Sequence, residues 1–170
     1  MALFAHDLFA QESEALAEEL RQAIIDNRQS ATGRTIGAIE SRHGENFLSV
    51  VALPDAHHIW ALQYGRGETK NAGDGTLYDR ILEWVKAKPV LFQDGIKKSK
   101  YTLEERTAKT ITYFIHKQGT YLYRKGQTYS GVSNPILRVF SDERIKGIQE
   151  RIFAETTKSI TSEIFKELKK

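Results

Sequence analysis

With 170 residues, a formal charge of +3 and no cysteine, the chain fits one domain burying about two-thirds of its unfolded surface. Disulfide frameworks, thiolate zinc sites and cysteine nucleophiles are excluded, and so mild a charge is no nucleic-acid footprint unless it clusters on one face. No apolar run approaches the ~20 residues of a membrane span, and Met1–Ala10 is short, carries Asp7 and lacks the basic start of a secretory signal, so an intracellular product, or one assembled inside a cell, is expected.

Asp7 is placed to cap a first helix running to about Asn27. Leu16, Leu20 and Ile24 form its apolar stripe with Ala15 and Ala23, while Glu12, Glu14, Glu18 and Glu19 load its first half with charge that suits a solvated face. The period then shortens. Ile36–Ile39 and Phe47–Val51 flank His43-Gly44 and read as an antiparallel hairpin. After Pro54-Asp55, the run Ile59, Trp60, Leu62 and Tyr64 reads as a third strand. Gly65 to Gly75 is a polar, glycine-rich loop. It matches neither phosphate-binding pattern, G-x-x-x-x-G-K-[ST] or G-x-G-x-x-G, and reads as a surface or contact loop.

Thr76 with Asp79 opens a second helix whose face is Leu77, Ile81, Trp84 and Val85, and Pro89 stops it. Lys86, Lys88, Lys97, Lys98 and Lys100 then make the densest basic stretch in the chain. The clearest start and stop signals bound the next helix. Thr102 and Glu105 form a capping box, Gly119 supplies a left-handed residue after its end, and Ala108, Ile111 and Ile115 form a stripe with Leu103 and Phe114 at its margins. Tyr121–Tyr129 is aromatic and basic, with a turn at Arg124-Lys125-Gly126. Asn134-Pro135 starts a short helical turn, and Ser141 opens a long last helix with Ile145, Ile148, Ile152, Thr156, Ile160, Ile164 and Leu168 in one stripe. A helix that long outruns a domain this small, so part of its stripe is expected to meet another chain.

Chemistry-bearing patterns are scarce. His6, His43, His57, His58 and His116 lack metal-ligand spacing, and adjacent His57-His58 on a strand would face opposite ways. There is no G-x-S-x-G elbow and no paired carboxylates in an aromatic setting. The residues therefore point to neither an enzyme nor a cofactor.

Three segments taken together resemble a known family. They are Leu62-Gln-Tyr-Gly-Arg-Gly67 with the helix Leu77–Val85, the helix Ala108–Thr120, and Leu122-Tyr-Arg-Lys-Gly126 with Ser130-Gly131-Val132 before the last helix. Their order and spacing are similar to the neck, or tail-completion, proteins of tailed bacteriophages and prophages. The resemblance implies a single α+β domain over residues 1–170, with long helices flanking an antiparallel sheet. It implies a non-enzymatic virion protein at the head–tail junction, present as a ring or in multiple copies, assembled in the host cytoplasm, and touching portal or connector and tail proteins. It puts Tyr64, Arg66, Glu68, Lys70 and the loop to Gly75 at subunit contacts. Packaged DNA would lie nearby, with Lys97, Lys98, Lys100, Arg124 and Lys125 as polyanion contacts. The long last helix and the lysine-rich stretch depart from the family's pattern. The alternative is a nucleic-acid-binding accessory protein using segment 86–100 and the Arg124-Lys125 turn.

Overall fold

In the computed structural model, residues 2–27, 29, 32–56, 58–69, 76–88, 99–125 and 134–169 are described. The architecture is α+β and largely helical. Helix α1 (Ala2–Asp26) and a helical turn α2 (Arg34–Gly37) precede a hairpin of β1 (Ile39–His43) and β2 (Leu48–Ala52). A 3-10 turn at Pro54–Ala56 leads to α3 (Ile59–Tyr64), α4 (Thr76–Ala87) and α5 (Leu103–Gln118). The turns α6 (Tyr121–Arg124) and α7 (Pro135–Val139) precede the long α8 (Asp142–Leu168).

The core is built round α1. Leu16, Leu20 and Ile24 recur at four-residue steps and share one face. All three are buried, with Ala17 and Ala23 beside them. Ile39 of β1, Ile59 of α3, Val139 of α7 and Ile148 of α8 close over that line. The helix starts earlier than Asp7, which lies inside it rather than at its cap. Ala2, Leu3, Ala5 and Leu8 flank Asp7, and their high helix propensity carries the helix through a lone Asp. Of the expected solvated acids, Glu14, Glu18 and Glu19 are exposed but Glu12 is buried. Glu12 meets Arg151 of α8 at 2.9 Å. A carboxylate taken out of water needs such a partner.

The hairpin forms with its first strand displaced. Ile39 faces Ala52 and His43 faces Leu48, so Ile36 falls in α2 and pairing starts three residues later. The Gly44 N–H closes the turn on the Phe47 carbonyl at 2.9 Å. The expected third strand is α3 instead. Ile59 and Gln63, four apart, are buried, whereas Trp60 and Tyr64, also four apart, are exposed and stack with centroids 6.1 Å apart. That is a helical period, which so short an apolar run conceals. Among the described residues the sheet ends at two strands.

Helices α4 and α5 pack chiefly on each other. The capping box is present: the Glu105 N–H donates to Thr102 Oγ1 at 3.2 Å, and the Thr102 N–H donates to Glu105 Oε2 at 2.8 Å. The buried face of α5 is rotated from the expected one. Thr107, Ala108 and Thr112 are buried, Ile111 and Ile115 only partly, and Phe114 is half exposed. A contact with one neighbouring helix is narrow, and its centre takes the small side chains. Pro135 sits at the first position of α7, and Ser141 caps α8 by accepting from the Arg144 N–H at 3.3 Å. Along α8, Ile148 is buried and Ile145, Ile152, Thr156 and Ile160 are partly buried, whereas Ile164 and Leu168 are exposed.

Two outcomes follow for stability. Leu16→Ala should cost about 2–5 kcal/mol in urea unfolding, whereas Leu168→Ala should change it by under about 0.5 kcal/mol. The Ser41 hydroxyl, and after it the Arg21 guanidinium, hold the Glu14 carboxyl below its ordinary value. A lowered folded-state value stabilises above the unfolded value of ~4.3 and is lost as pH falls through the folded one. Glu14→Gln should therefore lower the urea midpoint near about pH 7 and leave it unchanged near about pH 2. Equal losses at both would remove the titration from the account.

Candidate functional site

Residues Gly65–Thr69 leave α3 and run across the end of α5. Gly65 has φ 77° and Gly119, which ends α5, has φ 72°. The Arg66 N–H donates to Thr120 Oγ1 at 2.9 Å, and the Thr120 N–H returns to the Arg66 carbonyl at 2.8 Å. Further along, the Thr69 N–H donates to the His116 carbonyl at 3.0 Å, and the Thr69 hydroxyl meets His116 Nδ1. The two chains approach too closely for side chains at the glycines. A Cβ on Gly65 would lie 2.4 Å from the Tyr123 backbone nitrogen, and one on Gly119 would lie 2.7 Å from the Arg66 carbonyl oxygen. The positive φ expected at Gly119 is present, but its ψ of 180° is extended. That is a conformation open essentially to glycine alone rather than the left-handed helical one.

This clasp joins two of the three segments behind the family resemblance, Leu62–Gly67 and the end of the Ala108–Thr120 helix, with Tyr123 of the third over Gly67. Tyr64 and Glu68 are exposed and Arg66 is half buried. Arg66 enters the clasp through its backbone, and its guanidinium has no hydrogen bond or ion pair among the described residues. Three of the four subunit-contact residues thus adjoin one another. Lys70 and the rest of the loop to Gly75 lie outside the described residues, as do Lys97, Lys98 and His57.

The remaining polyanion residues do not form one cluster. Lys100 precedes α5 and Arg124 and Lys125 follow it, at opposite ends of a 16-residue helix that spans about 24 Å. Between them stand residues that composition alone passes over. Lys109 lies 3.2 Å and Lys100 5.0 Å over the Tyr101 ring, Lys117 lies 5.6 Å over Tyr113, and Lys125 lies 5.6 Å over Tyr121. Hydrogen bonding to Lys109, and next to Lys100, holds the Tyr101 hydroxyl below its ordinary value. The sequence signal was available: Lys109, Tyr113, Lys117, Tyr121 and Lys125 recur every four residues.

A crevice of about 580 Å³ lies between α1 and the far half of α8, lined by Leu8, Gln11, Glu155, Ser159 and Glu163 among others. Among the described residues no histidine lines it, so its serines have no imidazole base there. Among the described residues no three His, Asp or Glu side chains stand close enough to hold a metal ion. No helix among them is long and apolar enough to cross a membrane. Compared with protein-family models, curated proteins and solved structures, the chain finds no match.

Gly65→Ala and Gly119→Ala should each destabilise the fold by more than the ~1–2 kcal/mol of the positive φ, because backbone must also shift. Gly37→Ala, with open space around its Cβ, serves as the control and should be neutral or stabilising by up to about 1 kcal/mol. Thermal melts of the three variants decide it; equal melting would dismiss the clasp as a constraint.

Proposed function

We propose that this chain is a non-enzymatic structural subunit of the head–tail junction of a tailed bacteriophage or prophage. In this reading it is a neck or tail-completion protein, assembled in the host cytoplasm as a ring or in multiple copies, that joins portal or connector to tail. Two things support the reading: the resemblance carried by Leu62–Gly67, Ala108–Thr120 and Leu122–Gly126, and the surface of α8.

The observation that carries it is the uncovered end of α8. Phe153 is 75%, Phe165 57% and Leu168 76% exposed. Large apolar side chains gathered on one rod lose favourable burial in a lone subunit and gain it in an assembly. Such contacts between copies in a ring are heterologous, with two different faces meeting and closing by rotation. Tyr64, Arg66 and Glu68 are placed to serve as the second face, since the clasp holds their backbone while leaving the Arg66 guanidinium uncommitted among the described residues.

Electron microscopy of particles made without this gene tests the placement. Full heads with separate, unattached tails, restored by the intact gene, are expected; normal infectious particles would overturn it. For the contacts, Arg66→Glu and the pair Phe165→Glu with Leu168→Glu should each abolish rescue while their melts stay within a few degrees of the parent, about 2–4 °C per kcal/mol for a chain of this size. Folded variants that rescue fully would remove these residues from the interface.

A further inference from the structure

Charge is divided along this chain. Residues 1–69 hold five Lys and Arg against ten Asp and Glu, whereas residues 76–125 hold eleven against five. Cations outside residues 76–125 and those on the α5–α6 face are used differently. Arg21, Arg138, Arg144 and Arg151 pair with carboxylates of α1, and Arg34 pairs with Glu83. On the α5–α6 face, Lys109 and Lys117 lie over tyrosine rings and Arg124 Nη1 donates to the Gln118 side-chain oxygen at 2.9 Å. None of these three meets a carboxylate among the described residues.

Beside these cations is an apolar hollow of about 590 Å³ at the junction of α5 and α6, walled by Ile111, Phe114, Ile115 and Tyr121 with Arg124 at its edge. Phe114 is 50% and Tyr121 58% exposed. On α5, Lys109, Tyr113 and Lys117 form one row by their four-residue spacing, and Thr110 and Phe114 form the row next to it. Lys117 therefore adjoins the Phe114 wall of the hollow, while Ile111 and Ile115 carry the hollow round to the partly buried flank of α5 and Lys109 lies on the far side of the helix.

We infer that this face binds single-stranded nucleic acid without sequence preference, a base entering the hollow against Phe114 and Tyr121 while Lys117 and Arg124 meet phosphates of the strand. Phosphates alone would account for the cations, and so would an acidic peptide. Only an unpaired base also uses the exposed aromatic walls, because stacking needs a free π-face. In a duplex the bases are already stacked and the hollow would stay empty. The site is distinct from the lysine-rich stretch 86–100 and stands whether or not the protein works at a head–tail junction.

Fluorescence anisotropy of the full chain with a labelled oligo(dT) of about twenty nucleotides tests it. Binding should weaken as salt rises, and Lys117→Gln with Arg124→Gln should reduce the slope of log K against log salt by about 1.4. Phe114→Ala and Tyr121→Ala should each weaken binding roughly 5- to 150-fold with melts unchanged. If Phe114→Ala fails to fold, Phe114→Leu, which keeps bulk and loses the ring, takes its place with the same loss expected. Three results would overturn the inference: aromatic variants that bind like the parent, a duplex that binds more tightly than the single strand, or polyglutamate that displaces oligo(dT) at matched charge.

Discussion

Leu16, Leu20 and Ile24 lie buried along one line of α1, and each neighbouring element enters the core by what it sets against that line. β1 contributes Ile39, α3 Ile59, α7 Val139 and α8 Ile148. Full burial of one such side chain is worth about 1.5–3 kcal/mol. The short elements depend on this most. Helices of the length of α3 and α7 do not hold in water by themselves, and here each is pinned by one buried aliphatic residue and by the other. Gln63, itself buried, accepts from the Leu137 N–H at 3.3 Å through its side chain, and its carbonyl accepts from the Asn134 side-chain amide at 3.3 Å.

The pair α4–α5 stands outside that core and is fastened differently. The Arg34–Glu83 ion pair that reaches it is solvent-exposed on both sides, and pairs of that kind contribute little. The firmer attachment is the backbone ladder between Arg66–Thr69 and His116–Thr120, made possible by two glycines. The orientation of the basic α5–α6 face relative to α1 thus rests on main-chain geometry at a few residues. Side-chain packing is secondary there.

Capping chemistry was the most legible part of the sequence. Thr102 with Glu105, Pro135 and Ser141 mark helix starts through local hydrogen bonds and fixed dihedrals, which no distant contact has to complete. The α1 stripe was legible for the same reason: its period runs over many turns. Ile59–Tyr64 was not legible, because a six-residue run that is apolar or aromatic except at Gln63 fits a strand or a helix and the packing partner decides. Glu12 defied its polarity because the partner that lets it be buried, Arg151, lies far off in sequence. The glycines of the loop after Tyr64 signalled a turn, but that Gly65 meets the turn at Gly119 could not be inferred from spacing. The fourfold alternation of lysine and tyrosine from Lys109 to Lys117 could have been, had cations been counted by helical step and not by density.

The 27-residue α8 carries two apolar lines rather than one. Ile145, Ile148 and Ile152 turn toward the protein's own body, while Phe153, Ile160, Ile164 and Leu168 follow a line centred about a third of a turn further round, at 100° per residue. A surface seated on the second line meets the helix from the side, without displacing anything seated on the first. In an assembly seated on the second line, the same rod would be interior to one copy and exterior to the next, and the angle between its two lines would set the angle through which neighbouring bodies are offset. Curvature of any array built on this helix would then be written in its apolar periodicity, with no flexible joint needed to supply it.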